Sequence, residues 1–340
     1  MTAHSAPSLG ERPTPKAGAA SRAEDNRRRP VIVDTDPGID DVAALVPLLF
    51  DDTVDVKLIA TVSGNVDVRR TTANTLGLLE FLGLDIPVVK GSEAPLRRPA
   101  VYAPQVHGES GIGGVALPAP DPSRLVNGDV VEAYRDVLER SAEPVDVIAI
   151  GPLTNLGALF GAYPQAAERI GRITLMGGSF GPKYSWACDF NIAVDPEAAR
   201  IVFGAGVPID MIGVEIGRKT VLDADDLAAL AGSGPVGGLI ARMLESYHDD
   251  AVTAKPGVQL YDPATVLFYL QPELYVAAEA RVDIVPQPYP SLHTITEVRF
   301  MDVPVSERTV RVPIDVDVYR FRDAYLERVA RVDRILAARR

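Results

Sequence analysis

The chain has little of the chemistry that reactive centres often use. Its 340 residues include one cysteine, Cys188, and four histidines, at positions 4, 107, 248 and 293. One cysteine excludes an internal disulfide and a multi-cysteine zinc site. Histidines so scattered argue against a His-rich metal centre. Long hydrophobic runs are missing as well: none reaches the ~18–20 residues needed to span a bilayer. Nor is there a surplus of positive charge. Asp and Glu total 46 against 34 Lys and Arg, a net charge of −12, and no basic cluster stands outside the first ~30 residues, which argues against a nucleic-acid partner. These absences describe a reduced, cytoplasmic protein with neither a membrane nor a nucleic acid as partner.

What is present changes character near residue 30. Residues 1–29 are rich in Pro, Ala, Ser and charge and have no apolar core segment of a signal peptide, so they read as a disordered tail. From Pro30 onward, short apolar runs end in turn residues: Val31–Val33, Val56–Val62, Val145–Ile150, Ile173–Met176 and Val207–Val214. Such runs fit buried parallel strands. Helical spacing lies between them, over Val42–Phe50, Arg70–Leu82, Val130–Arg140 and Pro196–Phe203, with Gly83 as a C-terminal stop. After Thr220 the pattern is mainly helical with a Gly-rich break at Gly232–Gly238. Strand-like segments return at Arg281–Val285, Glu297–Met301 and Thr309–Val316, and a last helix runs from Tyr319 to about Ala338. The expected fold is α/β, a doubly wound, mainly parallel central sheet with a Rossmann-like core. Helices lie on both faces, the C-terminal part is helix-rich, and residues 30–340 form one domain.

In open α/β sheets, ligands bind beyond the carboxyl ends of the strands, and here those ends carry polar residues. The first run leads into Asp34-Thr35-Asp36-Pro37-Gly38-Ile39-Asp40-Asp41, the second to Asn65, the third to Thr154-Asn155 and the fourth toward Asp189-Phe190-Asn191. Four carboxylates within eight residues, with no Lys or Arg among them, cannot all stay ionised without a compensating cation. The Pro37-Gly38 turn lets Asp36 and Asp41 face one point. Hard oxygen ligands without nearby Cys or His select calcium or magnesium.

The Asp34–Asp41 segment resembles the signature of the nucleoside hydrolase family (inosine-uridine preferring N-ribohydrolases). The resemblance extends over essentially residues 30–340, through Thr61–Asn65, His107–Gly111, Gly151–Asn155, Met176–Gly178, Asp189–Asn191, Asp195–Ala199 and Asp262-Pro263. It implies that Asp36, Asp41, Asp262 and the backbone carbonyl of Ile150 hold Ca2+. It also implies that Asp40, Asn65, Asp189 and Asn191 bind the ribose of a small ribonucleoside substrate, and that the protein is a homodimer or homotetramer. Asp36 would take a proton from the attacking water, and Asn191 would stabilise the cationic sugar as the N-glycosidic bond breaks. Trp186, His107, Tyr247 and His248 are further candidates for lining the substrate pocket.

Two departures from the family pattern stand out. Tyr261 occupies the position where familiar members place a His that protonates the leaving base. Asp189 stands where the family usually has Glu, and the loop from Ser179 to Cys188 lacks an Asn that members use on the 5′-hydroxyl. Tyr261 is therefore the candidate leaving-group acid. Three alternatives stay open: a nucleoside-binding protein that has lost turnover, a hydrolase of a non-standard riboside, and a haloacid-dehalogenase-type phosphatase. Asp34-Thr35-Asp36 suits the last superficially, but Pro37-Gly38-Ile39-Asp40-Asp41 fits it poorly.

Overall fold

In a computed structural model of the protein, the described residues are 28–180, 189–247, 257–288 and 294–339. The first half alternates strand and helix: β1 (Arg29–Thr35), α1 (Ile39–Leu49), β2 (Val54–Thr61), α2 (Val68–Leu82), β3 (Val88–Lys90), α3 (Pro104–His107), α4 (Val130–Arg140), β4 (Val145–Ala149) and α5 (Thr154–Ala162). It continues through β5 (Ile170–Met176), α6 (Phe190–Val194), α7 (Pro196–Phe203), β6 (Ile209–Ile212) and α8 (Val214–Gly217). The C-terminal part begins with β7 (Val221–Leu222), α9 (Ala224–Ser233), α10 (Pro235–Glu245), β8 (Val258–Gln259) and α11 (Tyr261–Leu270). It closes with β9 (Tyr275–Val285), β10 (Ile295–Arg299), β11 (Val310–Val316) and α12 (Val318–Ala338). Among the described residues, no helix is long and apolar enough to cross a membrane.

Nine strands form one sheet in the order β10-β9-β11-β6-β5-β4-β1-β2-β3, and β7 and β8 form a separate antiparallel ribbon. Strands β3 through β6 and β11 run parallel, whereas β9 and β10 are antiparallel additions at one edge. The expected α/β architecture is thus observed. Burial explains the layering. In β1, Val31 and Val33 face a core built with α1, α2, α10, α11 and α12, while Ile32 faces a second core with α4, α5 and α7. Side chains alternate across a strand, so a strand covered on both faces reads as unbroken apolar sequence. Each fully buried aliphatic residue of this kind contributes about 1.5–3 kcal/mol.

Some boundaries differ from the expected ones. β1 starts at Arg29, inside the segment expected to be tail. Helix α1 starts at Ile39 rather than Val42, which brings Asp40 and Asp41 into its first turn, where carboxylates suit the helix dipole. The Gly-rich stretch near 232–238 breaks the helices only at Gly234, whose φ of 152° is unfavourable for other residues. Gly83 adopts the left-handed cap after α2, as expected.

The strand order reverses direction at β1, which lies between β2 and β4. The residues following β1 and β4 therefore open on one crevice, the usual ligand position in such sheets. The parallel pairing that joins β11 to the rest of the sheet is thinner, with only Val310↔Ile209 and Arg311↔Asp210 linking β11 to β6. Asp210, almost fully buried, reinforces it by accepting two bonds from Arg311, at 2.8 and 2.7 Å, and one of 2.7 Å from Arg172 of β5. Removing one partner of a buried pair costs about 3–5 kcal/mol, and partial exposure of both guanidiniums reduces this. Asp210→Ala is expected to destabilise the protein by about 2 kcal/mol in denaturant titrations, and an unchanged midpoint would remove this role.

Candidate active site

The loop after β1 is built around the carboxylate of Asp41. Its Oδ1 accepts from the Thr35 hydroxyl at 2.6 Å and the Asp36 amide at 3.2 Å, and its Oδ2 accepts from the Gly38 amide at 2.9 Å. Asn65, at the end of the β2 segment, adds a bond of 3.1 Å from its Nδ2 to Asp41 Oδ2 and one of 3.2 Å to the Asp36 carbonyl. With its donors turned to the acidic loop, Asn65 has an amide oxygen that can only accept a hydrogen bond. Gly38 has no room for a side chain. A Cβ there would lie 2.6 Å from both Asn65 Nδ2 and His107 Nδ1.

Asp36 is fully buried. Its Oδ2 accepts from the Asn65 amide at 2.7 Å, while Oδ1 has no hydrogen-bond partner. The carboxylate is wedged between two glycines: a Cβ on Gly64 would lie 2.0 Å from Oδ2 and one on Gly151 2.7 Å from Oδ1. Asp34, by contrast, faces away from this group. Its Oδ2 accepts from the Tyr134 hydroxyl at 2.5 Å and from Asn155 Nδ2 at 3.0 Å, which ties β1 to α4 and α5. Burial pushes its carboxyl up to about 7.

Asp262 in the first turn of α11 completes the acidic group. Carboxylate oxygens of Asp40, Asp41 and Asp262 all lie within 4.8 Å of one another, and all three residues are buried. Burial, and after it the repulsion of Asp40, Asp41 and Asp36, drives the Asp262 carboxyl well above the usual carboxylate range. Asp36 is raised in the same way, by burial first and then by Asp41 and Asp40. Such a group must hold extra protons or a cation. The donor set is all oxygen, and Asp36 Oδ1 is orphaned and buried. This chemistry fits a hard divalent ion.

Above the acids lies a cavity of about 290 Å³. It is lined by Asp40, Asn65, Ile150, Asp189, Asn191 and Asp262 at its polar end, with His107, Met176, Tyr247, Tyr261 and Arg218 among the remaining walls. Asn191 Nδ2 donates to the Ile150 carbonyl at 2.9 Å and to the Met176 carbonyl at 3.3 Å, and its amide oxygen can only accept. Asp189 caps α6, accepting from the amides of Ile192, at 3.1 Å, and Gly178. Burial raises its carboxyl to about 6. His107 is held neutral, burial lowering it to about 4. Its Nδ1 accepts from the Ile39 amide at 3.2 Å, so the ring proton sits on Nε2, and the ring lies 5.3 Å from that of Tyr247. A larger cavity of about 620 Å³ opens near Arg28, Pro30, Asp55 and Lys57, at the starts of β1 and β2. It brings together no comparable set of acids and amides.

The structure thus gathers Asp36, Asp40, Asn65, Asp189, Asn191, Tyr247, Tyr261, His107, Ile150, Asp41 and Asp262 at one place. Asp36 lies beside the close carboxylate trio rather than within it, and Asp40 takes the third place. Trp186 and His248 lie outside the described residues. Arg218 was not legible in the sequence as a site residue, since no motif marks it.

Comparison with known proteins points the same way. The family described as inosine-uridine preferring nucleoside hydrolase matches residues 31–323. The chain is 38% identical over 310 residues to the pyrimidine-specific ribonucleoside hydrolase RihA of Citrobacter koseri, covering 88% of this chain and 98% of that one. It is 39% identical over 249 residues to the non-specific ribonucleoside hydrolase RihC of Klebsiella pneumoniae, covering 73% and 81%. Among solved structures, a plant nucleoside hydrolase, PpNRh1, superposes with a TM-score of 0.80 at 30% identity, covering 89% and 99%.

The wedge around Asp36 gives a test of the site. Gly64→Ala places a methyl group where Asp36 Oδ2 stands, so Asp36 must leave its position. Turnover is expected to fall by at least about a hundredfold, the scale of losing a precisely placed catalytic group. A variant with full activity would show that the Asp36 position is dispensable.

Proposed function

The chain belongs to the inosine-uridine preferring nucleoside hydrolase family, whose members are metal-dependent hydrolases, and on that footing we propose that it hydrolyses the N-glycosidic bond of ribonucleosides with Ca2+ as its metal. The observation that carries this reading is the buried Asp40-Asp41-Asp262 group on the floor of a cavity walled by Asn65, Asn191 and Asp189. Asp36, Asp41, Asp262 and the Ile150 carbonyl would hold the ion, with Asp40 in reach of both ion and sugar. When bound, the ion neutralises the carboxylates and acidifies and orients a water molecule.

The residues of the chain do the rest. Asp36 Oδ1, buried and without a hydrogen-bond partner, is the acceptor for a water proton. Asp40, Asp189 and the amide oxygens of Asn65 and Asn191 present acceptors to the ribose hydroxyls. The same oxygens face a sugar that becomes positively charged as its bond to the base lengthens, so their grip strengthens in the transition state. Tyr261 lies in the cavity wall, 8% exposed, and its phenol is a hydroxyl donor that can serve a departing base. A homodimer or homotetramer in the cytoplasm completes the reading. Binding without turnover is the second reading, favoured by a tyrosine at the place of the leaving-group acid.

Product analysis decides between them: uridine and inosine, incubated with the enzyme and calcium, are expected to give ribose and free base, and binding without product would favour the second reading. A site that reads hydroxyls discriminates strongly against their loss, so 2′-deoxyuridine is expected to react at least about a hundredfold more slowly than uridine. Equal rates would contradict the roles given to Asn65 and Asn191. Tyr261→Phe is expected to slow uridine cleavage by about ten- to a hundredfold, the usual range for acid catalysis. No change in rate would remove the phenol from the reaction.

A further inference from the structure

The lining of the cavity includes Arg218 as well as Tyr261. The cavity has Asp40, Asp189 and Asp262 in its walls, yet among the described residues that line it there is one Lys or Arg, Arg218. His107 adds no positive charge at neutral pH, since burial holds it neutral. Arg218 is half-buried and follows the one-turn helix α8, its amide donating to the Val214 carbonyl at 3.0 Å.

Several contacts fix Arg218 relative to Tyr261, although the two lie 43 residues apart in sequence. Gly217 lies flat against the Tyr261 ring: a Cβ there would be 2.1 Å from Cδ1 and 2.7 Å from Cε1. Thr220 and Leu260 exchange two bonds, the Leu260 amide donating to the Thr220 carbonyl and the Thr220 hydroxyl to the Leu260 carbonyl, each at 2.9 Å. Immediately beyond, β7 and β8 pair as an antiparallel ribbon, Val221↔Gln259 and Leu222↔Val258. The next residue, Lys219, turns outward to Asp315 at 2.7 Å. This small ribbon stands apart from the main sheet, and its two ends deliver Arg218 and Tyr261 to the same cavity wall.

We infer that Arg218 is a specificity-determining residue for the leaving group, its guanidinium placed to receive the negative charge of a departing oxo-base while Tyr261 supplies the proton. The inference rests on the N-ribohydrolase reading and deepens it. As the C1′–N bond breaks, its electron pair passes to the base. The oxygen of water bonds to C1′, and one water proton goes to Asp36 and then to solvent. The base takes a proton from the Tyr261 hydroxyl, which recovers one from solvent, and Arg218 keeps its own throughout. A phenol can give a proton but carries no positive charge, whereas a guanidinium carries charge that it does not give up. In a cavity lined by carboxylates, the two functions are divided between two side chains of the same lining.

The test compares uridine, inosine and p-nitrophenyl riboside, whose leaving group is already a stable anion, on wild type, Arg218→Met and Arg218→Lys with calcium present. Arg218→Met is expected to lower the ratio of uridine to p-nitrophenyl riboside turnover by about thirtyfold or more, with inosine following uridine, a loss on the scale of one electrostatic donor. Arg218→Lys, which keeps the charge, is expected to restore part of that ratio and to keep the thermal midpoint of wild type. A parallel fall on all three substrates, or no fall, overturns the role of Arg218 and leaves the hydrolase reading standing. Wild type that releases no ribose from any of the three overturns both.

Discussion

The organisation of this protein depends on keeping four carboxylates close together and out of water. Asp36, Asp40, Asp41 and Asp262 are buried around one point, an arrangement that costs several kcal/mol per charge unless something positive joins it. Local hydrogen bonds offset only part of that cost. Asp41 receives bonds from a hydroxyl, two backbone amides and the Asn65 amide, yet its carboxyl is still raised. A hard cation resolves the conflict, and the oxygens of the site are what such an ion prefers. In the proposed reaction the same negative field is useful, because a sugar losing its base would turn positive in the midst of it.

The surrounding fold serves this constraint through close backbone approach. Gly38, Gly64 and Gly151 leave spaces that the Asp36 carboxylate, Asn65 and His107 fill. The switch of strand order at β1 brings the loops after β1, β2 and β4 to one crevice, and α11 adds Asp262 from far along the chain. Asp34, although in the same motif, has a different task. Its bonds to Tyr134 and Asn155 lock the end of β1 to helices on the opposite side of the sheet, so the acidic loop starts from a rigid base.

Much of this was legible in the sequence because local chemistry determined it. Val130–Arg140 and Pro196–Phe203 are helices with the expected bounds, since Asp129 and Asp195 cap them and their apolar residues fall on one face. The motif at Asp34–Asp41 read as acidic because four carboxylates stand in series with no Lys or Arg among them, and the structure places two of them, Asp40 and Asp41, in a buried group with Asp262. Helix α11 falls in the stretch after Thr220 that reads as mainly helical, but its bounds were not legible, for a physical reason: Tyr261 to Tyr269 are all buried, so no polar face interrupts the run to show a helical period. The first half of β9 was missed because its Ala-rich residues carry no strand alternation. Arg218 was invisible for another reason. Its place in the cavity that Tyr261 also lines arises from the pairing of β7 with β8 and from the space left by Gly217, and neither can be read from neighbours in sequence.

The central claim, that a cation is an integral part of the folded acidic centre, is tested most directly by thermal unfolding of the chelator-treated protein across a calcium titration. A ligand that binds only the folded state raises stability by RT ln(1 + [L]/Kd), about 2.7 kcal/mol at a hundredfold excess over Kd. The account predicts a saturable rise in the unfolding midpoint with one ion bound per chain, and no rise for Asp41→Asn. A midpoint indifferent to calcium in the wild-type protein, or a rise equally large in Asp41→Asn, would contradict it.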